Sequence, residues 1–525
     1  MVAKSYQEPY RLQYHLSAPS GPMSDPNGMV YFEGEYHQCY QCTGRWGHAV
    51  SRDLLHWEHL PLALVGDELG DIWSGSAVVD WRDTSGLFHG RAGLVAIFTH
   101  FKQGLQSQSI AYSIDKGHTW IKYAGNPVIP NPGLKDFRDP KVLWHPETGR
   151  WVMVVSADKR VRFYSSPNLI DWTFESEFGE GHGSHAAVWE CPDLFPLAVD
   201  GNEDVVKWVL HVSVGDNEET DGSTAQYFIG EFDGRQFVND RPGDEVRWTD
   251  FGQDFYAAVS YSDIPEEDGR RIWLGWLSNW KYPFGAPTEP WKGAMSISRA
   301  LSLRTEGEAV RLVQQPIGEL KRLRGESSYL RELRVEDGVI RLNFTGSSYE
   351  LEATVEWEKI DEFGIRFRTS DSEATAAGYC ARTNELFLDR TRSGFSDMRN
   401  RSGNPARFAK RFNAPRYRSA NRLKLHAFVD ASSVELFFDD GLQVFTTLIY
   451  PDSGSVGLEL FAAGGKAVFT CLSIHNMKSI WRPVHNDTPG TNRSCEQGAD
   501  RSGNGNQGRP ISAALPLDAT DRLDE

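Results

Sequence analysis

Long apolar runs are missing from this 525-residue chain, so no segment reads as a membrane-spanning helix. Basic residues are the minority: 55 Lys and Arg stand against 72 Asp and Glu, a net charge of −17, and no long Lys/Arg run stands out. Nucleic acid and anionic membranes are therefore not expected as partners. Cysteine is sparse. Cys39, Cys42, Cys191, Cys380, Cys471 and Cys495 are scattered and do not suggest a disulfide scaffold. Cys39-x-x-Cys42 invites a zinc or redox reading, but the stretch Tyr36 to Cys42 reads as a strand, where residues three apart point to opposite faces. No second pair lies nearby, so no metal is expected there. The first seven residues lack the apolar core of a secretory signal. Two expectations stay open: a protein that remains inside the cell, or a chain beginning after a removed signal.

Helical periodicity is scarce as well. What the chain has instead is a hydrophobic fraction of 40%, enough for a sizeable core, and an aromatic content of 12% with 17 Trp. Short apolar runs such as Gly93 to Thr99 and Trp151 to Val155 alternate with Gly, Asp, Asn and Pro turns, an all-β pattern. A degenerate repeat runs through it. Val50-Ser51-Arg52-Asp53 leads to Trp57, Tyr112-Ser113-Ile114-Asp115 to Trp120, and Tyr164-Ser165-Ser166-Pro167-Asn168 to Trp172, with a weaker echo from Gly230 to Phe237. Each copy reads as strand, polar turn, then a strand opened by an aromatic residue. The tryptophans recur at about fifty to sixty residues, the length of a four-strand propeller blade. Their expected role is packing of the outer hairpin.

These patterns divide the chain. Residues 1–9 form an N-terminal extension and 10–318 supply about five blades. A short amphipathic link occupies 319–329, and strands resume over 330–482 with the regular turns of a β-sandwich. Within that last domain the basic, turn-rich stretch from Arg399 to Arg418 reads as a solvated loop. Residues 483–525 are rich in Gly, Asn, Ser and Asp and are expected to be disordered.

Three carboxylates, each beside a proline, are the candidates for chemistry: Asp25 in Ser24-Asp25-Pro26-Asn27-Gly28, Asp139 in Phe137-Arg138-Asp139-Pro140, and Glu190 in Trp189-Glu190-Cys191-Pro192. Taken singly, each is a turn or a strand end; Asp-Pro-Asn-Gly is an ideal type I turn. Taken together, they are spaced like blades. Asp139 and Glu190 are about fifty residues apart, and Asp25 precedes Asp139 by a little over twice that, so all three can face one central cavity. Paired carboxylates are the usual tools for breaking glycosidic bonds.

With its flanking motifs, the chain resembles glycoside hydrolase family 32, the invertase, inulinase and levanase group, and its levanase-type β-fructosidases most. The resemblance runs from about Tyr10 to Trp481. It is carried by Tyr40-Gln41, Trp46-Gly47-His48, Trp73-Ser74-Gly75-Ser76, Arg138-Asp139-Pro140-Lys141, Trp189-Glu190-Cys191-Pro192-Asp193, Asp254-Phe255-Tyr256-Ala257, Leu277-Ser278-Asn279-Trp280, and Phe428 to Glu435 in the second domain. It implies an all-β fold, a five-bladed β-propeller followed by a β-sandwich. It also implies Asp25 as nucleophile, Glu190 as general acid/base and Asp139 as stabiliser of the transition state. Ser24, Asn27, Gln41, Trp73, Ser74, Arg138 and Trp280 would bind the sugar. The implied activity is retaining hydrolysis of terminal fructosyl units of levan, inulin or sucrose, on neutral fructose-containing saccharides and without metal or organic cofactor.

Three departures from the family pattern surround Asp25. Pro22 stands where the family has Trp, which removes an aromatic wall. Ser24 replaces Asn, as in plant relatives that transfer fructose, and loses the amide's paired donor and acceptor. Between Gln41 and Trp46 only four residues remain, roughly nine fewer than the family's usual loop. A shorter pocket edge should weaken substrate positioning. A fructosyltransferase on the same machinery and a saccharide-binding or low-activity relative are the alternatives.

Overall fold

The computed structural model describes residues 6–481 except 242, 244 and 284. The tail from 483 lies outside the described residues. Five four-stranded antiparallel units follow one another, the last two joined by the pairing of Val199 with Leu303. Blade 1 is Pro26–Phe32, Glu35–Gln41, Trp46–Ser51 and Trp57–Leu64; blade 2 is Asp71–Asp80, Gly93–Lys102, Leu105–Ser113 and Ile121–Lys122. Blade 3 is Phe137–His145, Arg150–Ala157, Val161–Ser166 and Thr173–Phe178; blade 4 is Trp189–Val199, Asn202–Asn217, Gly222–Phe232 and Phe237–Asn239. Blade 5 is Tyr256–Ser260, Arg271–Trp276, Arg299–Glu306 and Ala309–Pro316. The first strand of each blade is innermost, and the fifth meets the first: Tyr31 N–H donates to Ser262 O and Ser262 N–H to Met29 O, both at 3.0 Å. This is a five-bladed β-propeller.

Burial explains the sequence pattern. In Gly93–Lys102 the run Leu94 to Phe98 is wholly buried, because blades 1 and 3 cover both faces of blade 2, so alternation disappears. The outer strand Trp57–Leu64 faces solvent on one side and mixes exposed with buried positions. The repeat noted in sequence is the turn between third and fourth strands. Asp53 Oδ1 accepts the N–H of Leu55 and His56, Asp115 Oδ1 that of Thr119, and Asn168 Oδ1 those of Ile170 and Asp171. Trp57, Trp120 and Trp172 then pack against core clusters between blades.

Beyond the propeller, a 3-10 turn, Gly318–Leu323, leads directly into a strand. Residues 324–329 of the expected link therefore lie in a strand, Arg324–Leu330, paired with the 21-residue strand Gly457–Met477. That long strand bends at Gly464 and Gly465. Its first half pairs with Glu362–Thr369 and its second with Tyr349–Trp357, so it joins the two sheets of a β-sandwich. Between the sheets lies one core, including Leu351, Phe367, Leu388, Leu425, Leu436, Phe445, Leu460 and Phe469.

Propeller and sandwich share a buried polar interface. Arg390, fully buried, pairs with Asp254 at 2.6 Å, and Asp254 also accepts Tyr282 Oη–H at 2.7 Å and Leu448 N–H at 2.8 Å. Arg299 pairs with Glu435 at 2.5 Å and Asp250 at 3.2 Å. The N-terminal segment is pinned there too. His15 lies 2.8 Å from Asp430 and 3.0 Å from Glu435, while Gly21–Pro22 pairs with Trp291–Lys292. Burial alone would lower the His15 pKa, but hydrogen bonds to the two carboxylates hold it up at about 9.

The basic segment 399–418 is not a free loop. Lys410 pairs with Asp221, Arg411 with Glu362 and Arg418 with Glu306, and Arg416 is buried against the carbonyls of Ala420 and Arg422. Its charges answer carboxylates on neighbouring elements, which charge runs alone do not reveal.

Candidate active site

Every inner strand carries one extra residue at the same place. The register slips between Asn27 and Val30, Trp73 and Gly75, Arg138 and Lys141, Glu190 and Asp193, and Tyr256 and Val259. Gly28, Asp139, Cys191 and Ala257 take positive φ at these bulges (52°, 62°, 45° and 54°). A bulge bends a strand and re-aims its side chains. In blades 2, 3 and 4 the residues at the bulge (Trp73 and Ser74, Arg138 and Asp139, Glu190) line a cavity of about 570 Å³.

Asp25, Asp139 and Glu190 all line this cavity, with Gln41, Trp73, Ser74, Arg138 and Trp280. Ser24 and Asn27 are absent from the lining. Asn27 is fully buried, and its Oδ1 accepts Gly75 N–H at 3.0 Å, tying blade 1 to blade 2. Ser24 is buried and donates its N–H to Gln41 O at 3.1 Å. Pro22 lies in the short pairing with Trp291–Lys292, also outside the lining. Residues 42–45 form a tight hairpin. Thr43 and Gly44 have φ of 49° and 70°, and Cys42 N–H donates to Arg45 O at 2.8 Å, as in a two-residue primed turn. This edge of the cavity is low.

The three acids are held differently. Asp25 Oδ2 accepts Ser74 Oγ–H at 2.7 Å, whereas Oδ1 is buried without a partner. Burial is the main force on Asp25; the Ser74 hydrogen bond opposes it and the charge of Glu190 adds to it, leaving the pKa at about 6. Asp139 Oδ2 accepts Cys191 N–H at 3.0 Å and stands 3.8 Å from Arg138 Nε. Burial again dominates, Arg138 opposes, and the two other carboxylates push the same way as burial, to about 7. Glu190, whose side chain is 20% exposed, is gripped from two sides: Arg138 donates to Oε1 at 2.8 Å and Tyr256 Oη–H to Oε2. Burial raises the Tyr256 hydroxyl far above its ordinary range, so it remains a donor.

Arg138 is itself fixed by Gln106 at 3.3 Å and by Asp136. Trp73 stacks on Phe101 with centroids 4.1 Å apart, and its carbonyl accepts Trp46 Nε1–H at 3.0 Å. Gln41 Nε2 donates to Ile72 O at 2.9 Å, while its Oε1 is buried and unpaired. Together with Asp25 Oδ1 and Asn27 Nδ2, that makes three polar atoms without protein partners around Asp25. Of these residues, Asp25 and Gln41 line the cavity, where a hydroxyl-rich ligand has polar groups to offer.

Sequence reading missed Gln106, Asp136, Asp216 and Arg401 in the lining, and the contact from Tyr256 to Glu190. For Tyr256 a signal existed: it occupies the bulge position of blade 5 that Arg138 and Glu190 occupy in blades 3 and 4.

The signature of the Glycosyl hydrolases family 32 N-terminal domain matches residues 15–316, and that of the Glycosyl hydrolases family 32 C terminal matches 319–476. The chain belongs to glycosyl hydrolases family 32. This family 32 chain is 50% identical to a levanase of Bacillus subtilis (strain 168) over 489 residues, covering 91% of itself and 72% of that protein. It is 38% identical to an extracellular exo-inulinase of Aspergillus niger, covering 91% of itself and 96% of the relative. The crystal structure of the exo-inulinase from Aspergillus awamori superposes with a TM-score of 0.82 at 35% identity, covering 91% of this chain and all of that one.

Proposed function

We propose that the protein is a retaining β-fructofuranosidase that removes terminal fructosyl units from levan, inulin or sucrose, with its chemistry in the propeller of residues 10–318. The observation that carries this reading is the state of Asp25. One carboxylate oxygen is held by Ser74, the other has no hydrogen-bond partner, and the residue lines a cavity shared with Glu190 and Asp139. At a pKa of about 6 the group is ionised at neutral pH and ready to act as nucleophile.

In the first step Glu190 passes its proton to the glycosidic oxygen as the Asp25 carboxylate attacks the anomeric carbon. The leaving saccharide departs as an alcohol, and a fructosyl ester remains on Asp25. Glu190, now a carboxylate, takes a proton from water, whose oxygen displaces Asp25 and releases fructose with net retention. Positive charge on the sugar in both transition states is stabilised by Asp139. Arg138 and Tyr256 orient the Glu190 carboxyl. Among the saccharide contacts, Gln41 Oε1 accepts a hydroxyl, and Trp73 and Trp280 provide apolar walls. Ser24 and Asn27 act from behind the wall, by placing Gln41 and Gly75.

Incubation with sucrose, inulin and levan, with products identified by chromatography and the anomer followed by NMR, tests this reading. Free fructose released first as the β-anomer supports it, and inversion or no release overturns it. Transfer to a second sugar in place of water, the outcome favoured by Ser24, would show as accumulating oligofructosides at high sucrose.

A further inference from the structure

The basic segment of the sandwich has no part in the chemistry above, yet one of its residues reaches the cavity. Met398–Arg399 pairs with Pro405–Ala406, and Asn400 shapes the turn between them: its Oδ1 accepts Ser402 N–H at 3.0 Å and Asn404 N–H at 2.9 Å. Gly403, at φ 78°, completes the turn. The base of this hairpin is anchored in a core shared between domains, where Met398, Ala406 and Phe408 pack with Leu277, Tyr282 and Trp291. Gly285 approaches so closely that a Cβ there would lie 2.8 Å from Arg399 O. Farther along, Lys410 pairs with Asp221, which also pairs with Lys281. The hairpin is thus fastened to blades 4 and 5, and its tip carries Arg401.

Arg401 is exposed, and its guanidinium carbon lies 4.2 Å from the centroid of the Trp280 ring. Both residues line the cavity, as does exposed Asp216. Asp139 is only 6% exposed, and Asp25 Oδ1 has no access to solvent. The cavity therefore runs from a buried acidic floor to a charged rim. A fructosyl unit seated on Asp25 fills the floor, and whatever it is bonded to extends toward the rim.

We infer that Arg401 determines specificity for the saccharide on the leaving side of the scissile bond. Its planar guanidinium, braced on Trp280, presents N–H donors to sugar hydroxyls. This rests on the fructosidase reading. It also gives the sandwich domain a direct part in substrate choice.

The test compares the full-length protein with Arg401→Ala on methyl β-fructofuranoside, sucrose and a short oligofructoside. The methyl glycoside has no sugar beyond the scissile bond. Arg401→Ala raises KM for sucrose and the oligofructoside about five- to tenfold, the scale of one or two hydrogen bonds, with kcat held within about twofold. Its kcat/KM on the methyl glycoside stays within about twofold of wild type, and thermal unfolding is unmoved. Arg401→Lys, which keeps the charge and loses the planar fork, recovers less than half of the lost kcat/KM. Equal kinetics on all three substrates overturn the inference, and so does an equal loss on all three, which signals general damage. A wild type inactive on every substrate would sink the fructosidase reading itself and this inference with it.

Discussion

Ser74→Ala isolates the electrostatic control of Asp25. The Ser74 hydroxyl donates to Oδ2 at 2.7 Å, and this hydrogen bond is the largest influence opposing burial. A hydrogen bond to a charged group contributes about 1.5–3 kcal/mol. One pKa unit corresponds to about 1.4 kcal/mol, so losing the bond moves the acid limb of kcat/KM upward by about one to two pH units. The limb starts from about 6 in the wild type. The sign follows from the role: a nucleophile works as the carboxylate, so a raised pKa removes active enzyme at low pH and spares it at high pH. With a limb near 7.5, the variant would retain about a tenth of wild-type kcat/KM at pH 6.5 and more than about half at pH 8.5. The assay is initial-rate kinetics on sucrose across pH 5 to 9, with variant and wild type compared at each pH. A ratio that stays constant over the whole range would refute the reasoning. Ser74 would then act on the sugar, and Asp25 would owe its ionisation to something else.

Asp25→Asn should abolish turnover yet stabilise the fold. The native pKa of about 6 exceeds the ordinary 3.8, so the ionised group costs about 3 kcal/mol at neutral pH, and that cost vanishes below 3.8; the melting temperature should rise at pH 7 and match wild type near pH 4. His15 has the opposite linkage. Its native value of about 9 lies above 6.5, so it contributes about 3 kcal/mol that is fully present below pH 6.5 and lost as pH rises through 9; calorimetry of His15→Gln should show a deficit at pH 6 that fades by pH 10. Asp254→Ala leaves Arg390 charged, buried and short of its partner, a loss of about 3–5 kcal/mol, and thermal scans should show the interface failing early.

The acids were legible in sequence because turn chemistry marks them. Proline or glycine follows each one closely, where a strand must bulge, and the blade-length spacing sets them around one axis. The strands were legible from their apolar runs. Less visible was everything that depends on two distant segments meeting. Arg401 looked like one cation among several in a basic stretch, and only the anchoring of its hairpin on Leu277, Tyr282 and Trp291 brings it to the cavity. Gln106 and Asp136 carry no motif; they matter because Arg138 needs fixed acceptors. Ser24 and Asn27 show the converse case. Each stands in the most recognisable motif of the chain, yet both are buried outside the lining, Ser24 bonded through its N–H to Gln41 O and Asn27 through Oδ1 to Gly75 N–H.

The five equivalent bulges make the inner rim of the propeller a set of sockets with different tasks. In blades 2, 3 and 4 the bulge delivers Trp73, Arg138 with Asp139, and Glu190 to the cavity, whereas in blade 1 it sets Asn27 on Gly75 N–H and in blade 5 it sets Tyr256 on Glu190. Tyr256 occupies the fifth socket behind Glu190, so a change there reaches the sugar only through the Glu190 carboxyl. Redesign of this site is therefore split: three sockets meet the cavity directly, and the other two act on what those three hold.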